Sequence, residues 1–101
     1  MKKNHVAILC IVNNGFSELV METARKHGAK GGTVLHARGT ASKEAEKLFN
    51  ITIQPEKEIV MILVENEIKD ALLHGLYDSI GLNTNGQGIV FSLPVDEVVG
   101  L

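Results

Sequence analysis

The chain holds 101 residues, 45% of them hydrophobic, with ten Lys+Arg against twelve Asp+Glu and a formal net charge of −2. That length and apolar content suit a single domain over residues 1–101, and they exclude a disordered chain. The absence of a basic excess removes the electrostatic footprint of a DNA or RNA binder. Cys10 stands alone, so an internal disulfide and a multi-cysteine zinc site are both ruled out.

The first apolar run, Val6 to Val12, is short, rich in β-branched residues and apolar on both alternations. It reads as a strand buried on two faces, with Cys10 as a packing residue inside it. Lys2 and Lys3 ahead of the run imitate a secretory leader. The run is too short for one, and Asn13-Asn14-Gly15 stands where small residues would mark cleavage. No stretch reaches the roughly 20 apolar residues of a membrane helix, so direct membrane insertion is not expected and a reducing cytoplasm is the expected compartment.

From Phe16 the period becomes helical. Phe16, Leu19, Val20, Thr23, Ala24 and His27 share one face, and Glu18, Glu22, Arg25 and Lys26 the other. Gly28 sits where a left-handed C-cap would end this helix. A second strand runs from about Thr33 to Arg38. Residues 41 to 54 form an excursion in which Ser42 caps one or two helical turns reaching Phe49, while Thr52 and Ile53 look extended. Long connections of this kind are often functional.

Glu58 to Val64 predicts a third strand, again apolar on both faces. Asn66 then caps a helix whose stripe is Ile68, Ala71, Leu72, Gly75 and Ser79 with Leu76 beside it, leaving Asp70, His74 and Asp78 outside. Gly81 to Gly88 is a loop rich in glycine and asparagine. A last strand, Ile89 to Leu93, stops at Pro94, and residues 95 to 101 are expected to add a short edge strand. The order β-α-β-β-α-β predicts an α+β, ferredoxin-like sandwich: a four-stranded antiparallel sheet with two helices on one face.

A sheet with one wet face should alternate apolar and polar residues, and the first and third strands do not. One aliphatic set must cover the side away from the helices, which predicts a homo-oligomer built by sheet-face packing.

Candidate chemistry is sparse. Gly81 to Gly88 offers glycines whose backbone N–H groups could converge on an anion, or a plain helix-to-strand connection. His36 and Arg38, two apart on a strand, point to one side and could meet a carboxylate or another anion. Glu44 and Glu46 near Lys43 and Lys47 form a solvated charge cluster, and Glu56 and Glu58 flanking Lys57 carry no catalytic pattern. No nucleophile–base or paired-carboxylate arrangement appears, so no catalytic residue is assigned, and no metal ligand set either.

Gly28-Ala29-Lys30-Gly31-Gly32-Thr33-Val34, Arg38-Gly39-Thr40 and Gly86-Gln87-Gly88-Ile89-Val90-Phe91 resemble the PII nitrogen-regulatory signalling family over nearly the whole chain, with a shortened middle loop. The resemblance implies a homotrimer with sheets inside and helices outside. It implies an adenine nucleotide effector in clefts between subunits, and a loop after the second strand that contacts a target enzyme or membrane transporter, as in nitrogen metabolism. Carried over by position, the ligand-binding residues are Thr33, Gly39, Thr40, Gly86, Gln87 and Gly88, with Arg38 or Lys43 supplying positive charge. The sequence departs from the family where Gln87 replaces the loop aspartate, Ile89 replaces the phosphate-binding lysine, and 95–101 holds no arginine. Each missing cation removes a charge-assisted bond of about 1.5–3 kcal/mol. Tyr77, the single tyrosine, belongs to the second long helix, so uridylylation of the middle loop is not expected.

Two alternatives share this architecture. A trimer like the divalent-cation tolerance proteins would bind metal through His36 and His74. A small ferredoxin-like enzyme would use His36 as general base.

Overall fold

The computed structural model describes residues 4–40, 43–50 and 54–100. The chain forms β1 (His5–Asn13), α1 (Ser17–Lys26), β2 (Thr33–Arg38), α2 (Lys43–Phe49), β3 (Glu56–Glu65), a 3-10 turn (Asn66–Ile68), α3 (Lys69–Ile80) and β4 (Ile89–Pro94). The strands make one antiparallel sheet in the order β2-β3-β1-β4, so the two strands apolar on both alternations are the central pair. The expected α+β plan is present.

One alternation of the central strands faces the helices. Val6, Ile8, Cys10 and Val12 of β1 and Val60, Ile62 and Val64 of β3 are buried beneath Val20 and Ala24 of α1 and Leu72, Leu76 and Ile80 of α3. The two helices also lock to each other. The Thr23 hydroxyl and Ser79 hydroxyl lie 3.0 Å apart, His27 Nδ1 donates to the Thr23 carbonyl at 3.0 Å, and a methyl at Gly75 would stand 2.6 Å from the His27 ring. Gly28 closes α1 in the left-handed region at φ +103°, and the Ala29 N–H reaches back to the Ala24 carbonyl at 3.0 Å.

The sequence expectations for α3 and the C-terminal segment need correction. Asn66 does not cap α3: it opens the 3-10 turn, its N–H bonds to the Asn4 carbonyl, and no side chain caps either the turn or α3. Leu72, Leu76 and Ile80 are the buried residues of α3, Ile68, Gly75 and Ser79 are half-buried beside them, and of the expected stripe only Ala71 is exposed. Residues 95–100 form no strand, because Pro94 ends the ladder and Asp96 and Glu97 both stay in solvent. The helical turns expected before Phe49 are present as α2, whereas Ser42, Thr52 and Ile53 lie outside the described residues. Among the described residues no helix is long and apolar enough to cross a membrane.

Cys10 is fully buried, and burial pushes its thiol up to about 12. Alkylation at pH 8 is therefore expected to be negligible in the native protein and complete in guanidinium, as a thiol assay would read. The sign of the linkage follows from the raised value. Below about pH 9 both states keep the proton and the contribution is whole; as pH climbs from 9 toward 12 only the unfolded thiol ionises, and stability falls.

The other alternation is bare. Cross-strand register gives the rows Leu63–Ala7–Leu93, Thr33–Met61–Leu9–Phe91 and Leu35–Ile59–Ile11–Ile89, apolar throughout except Thr33. Leu35, Met61, Leu63, Ile89, Phe91 and Leu93 retain between 37% and 57% of their exposure. Full burial of such a side chain is worth about 1.5–3 kcal/mol, so covering the exposed half of these residues would return roughly 4–9 kcal/mol. That approaches the whole stability of an average domain.

Candidate functional site

At one end of the bare face the aliphatic rows give way to polar ones. The next row is Ala37–Lys57–Asn13, and the loop between α3 and β4 folds over Asn13. The loop is a chain of tight turns. Thr84 N donates to the Gly81 carbonyl at 3.0 Å, Gln87 N to the Thr84 carbonyl at 3.0 Å and Gly88 N to the Ile80 carbonyl at 2.6 Å. Gly86 N donates to the Thr84 hydroxyl at 3.2 Å. The N–H groups of Gly86, Gln87 and Gly88 are thus already engaged inside the loop, and a ligand that reaches them displaces those bonds.

Two backbone features hold the loop to this path. A Cβ at Gly88 would run into the Ile80 carbonyl oxygen, so only glycine fits there. Gln87 sits in the left-handed region at φ 48°, a conformation that costs a non-glycine residue about 1 kcal/mol or more. Gly88→Ala is expected to lower unfolding free energy by about 1–3 kcal/mol in urea titration, through overpacking against backbone.

Lys57 is a second cation of this end, beside Arg38, and the sequence alone assigns it no role. Its ammonium donates to Asn13 Oδ1 at 2.7 Å, its stem runs along Gly39, and burial lowers its pKa below the usual lysine value. Gly39 is pinned by its N–H to the Pro55 carbonyl at 2.6 Å, so the start and the return of the excursion meet beside Lys57. Asn13 in turn donates from Nδ2 to the Asn85 carbonyl at 3.1 Å and to Gln87 Oε1 at 3.2 Å. Gly39, Lys57, Asn13, Gly86 and Gln87 therefore form one connected cluster. Helical periodicity and motif spacing hold no sign of Lys57 or Asn13, because only the register of β1 against β3 brings them together.

The remaining sequence-selected residues are more dispersed. Arg38 lies 3.9 Å from Glu56 in an exposed pair, worth little by itself. Thr40 is exposed just past Gly39, and Lys43 opens α2. Thr33 occupies the opposite end of β2, roughly 20 Å from Gly39 at strand rise, so within one chain it cannot share a small ligand with the loop. A separate groove of about 1130 Å³ opens at that far end, between the Gly28–Lys30 turn, the end of β3 and residues 95–98.

His36 pairs across the ladder with Glu58, whose carboxylate is buried and committed elsewhere: its Oε1 accepts the N–H groups of Gly15 and Ser17 at 3.1 Å each, at the start of α1. His74 stands 3.6 Å from Asp78 on the exposed side of α3. Among the described residues no group of three His, Cys, Asp or Glu is placed to hold a metal ion.

No protein-family model matches the sequence, and no curated protein does. Solved structures do match. Arabidopsis thaliana PII bound to citrate superposes with a TM-score of 0.72 at 20% identity, covering 99% of this chain and 82% of that one. This is the PII fold. A protein from Thermus thermophilus described as PII-like gives 0.70 at 17% identity, over 92% of this chain and 87% of that one. The Bacillus subtilis GlnK–ATP complex gives 0.65 at 15% identity, over 94% and 84%. The segments of this sequence that resemble the PII family lie at both ends of the sheet: the approach to β2, its exit at Gly39, and the loop entering β4.

Proposed function

We propose that this chain is a PII-type signalling protein that assembles as a homotrimer through the bare sheet face, binds a small anionic effector beside Lys57 at clefts between copies, and regulates a partner enzyme or transporter through residues 40–54. The observation that carries the reading is the bare apolar face ending in the cluster of Gly39, Lys57, Asn13 and Gln87. A face of that composition needs a cover, and the PII fold offers one in further copies of itself. Assembly also supplies what a single chain lacks: the Thr33 end of one copy can approach the Lys57 end of another.

The effector's charge is limited by the cations present. Ile89 stands where a phosphate-binding lysine would be, which leaves two described cations beside the cluster: Lys57, bonded to the neutral Asn13, and Arg38, in a weak exposed pair with Glu56. Two such cations fit a carboxylate or a single phosphate better than a triphosphate. Citrate and ATP are the ligands named for the Arabidopsis and Bacillus structures, and an adenine nucleotide with one phosphate lies between those chemistries.

Two measurements test the reading. Sedimentation at micromolar concentration should give about three times the 10.9 kDa chain mass, and a stable single-chain species would sink the shared clefts. A thermal-shift panel of AMP, ADP, ATP, cyclic nucleotides, 2-oxoglutarate, bicarbonate and phosphate should find at least one stabilising anion. A ligand at a hundredfold excess over Kd adds about 2.7 kcal/mol, and Lys57→Met should remove that gain. A panel with no response would remove the effector.

A further inference from the structure

Asn13 is 3% exposed, and its side chain is saturated from both ends. Oδ1 accepts from the Lys57 ammonium, while Nδ2 shares its two hydrogens between the Asn85 carbonyl and Gln87 Oε1. Chemistry alone fixes this orientation. An ammonium only donates, so it must meet the oxygen, and the two loop acceptors must then meet the nitrogen. A flipped amide would set donor against donor and acceptor against acceptor. The Asn13 N–H adds a third tie to the loop, donating to the Gly86 carbonyl at 2.9 Å.

We infer that the Asn13 carboxamide is a positioning residue that couples the two sides of the site, so that a change at Lys57 is felt at Gln87 and a change at Gln87 is felt at Gly39. An anion that draws the ammonium away leaves Oδ1 buried without its partner. The amide then turns to find another, and Nδ2 leaves Gln87. Gln87 already holds a strained left-handed backbone, and with its side-chain acceptor unoccupied the loop opens more readily, exposing the N–H groups of Gln87 and Gly88. On the other side, the Lys57 stem lies on Gly39, so the same displacement loosens the root of the excursion. The inference rests on the reading of these two segments as the walls of an effector site.

A cycle without ligand decides it, read by amide hydrogen exchange on the whole protein. Lys57→Met and Asn13→Ala are made singly and together, with Gln87 and Gly88 N–H followed against Ile62 in the core. Lys57→Met should speed exchange at Gln87 and Gly88 roughly two- to tenfold, the range of one lost hydrogen bond, and should add nothing once Asn13 is alanine. Gln87→Ala should act likewise on Gly39 in the parent alone. Unchanged exchange after Lys57→Met, or an equal rise in both backgrounds, overturns the coupling. Should Asn13→Ala not fold, Asn13→Asp takes its place, since it keeps the acceptor for Lys57 and removes both donors to the loop. Binding of AMP or inorganic phosphate is measured separately: failure there removes the effector reading, while the exchange cycle still judges the coupling.

Discussion

Aspartate at both Met61 and Phe91 is expected to turn the proposed trimer into single chains of 10.9 kDa at micromolar concentration. The two residues lie in one row across the bare face with Leu9 between them, each still more than a third exposed. Two carboxylates in that row would have to be dried on assembly, at several kcal/mol each without a counter-charge. That outweighs the roughly 4–9 kcal/mol the face can return. Sedimentation velocity reads the result. Tyr77→Asp, on the outward side of α3 at 60% exposure, should leave the assembly intact. A double variant that still sediments as a trimer would mean the sheets are not the seam.

The second large effect concerns Glu58. One of its carboxylate oxygens accepts two backbone N–H groups at the entry to α1, and the residue is only 7% exposed. Removing the carboxylate in Glu58→Ala leaves two amides of a helix start without their acceptor, next to the positive end of the helix dipole. A loss of about 2–4 kcal/mol in unfolding free energy is expected from equilibrium urea unfolding, with an unchanged slope. Glu58→Gln, which keeps a neutral acceptor, should restore about half. A change below about 0.5 kcal/mol for alanine would show that water replaces the carboxylate without cost.

These two cases also separate what the sequence pattern carries from what only the folded sheet creates. The central strands are legible because Val6–Val12 and Ile59–Val64 are apolar at every position, the pattern of strands buried on two faces. Thr33–Arg38 was bounded by glycines, and the observed strand keeps those bounds. Asn66 misleads because a capping residue carries the same signal before a 3-10 turn as before a helix. The polar cluster was legible only in part. Gly39, Gly86 and Gln87 stand in recognisable wording, but Asn13, Lys57 and Glu58 depend on which residues of β1, β2 and β3 stand opposite one another. Register is a property of the folded sheet, and a lysine between two glutamates gives no hint of it.

The close approach of His27 to Gly75, together with the paired hydroxyls of Thr23 and Ser79, bears on how the proposed signal would leave this molecule. Sliding one helical rod along the other would break that hydroxyl pair and drive the ring against the backbone, so the slab they form resists shear. On the proposed function, an occupied cleft would leave that slab as it is, and the change would run along the rim, through loops and strand ends, toward the proposed partner.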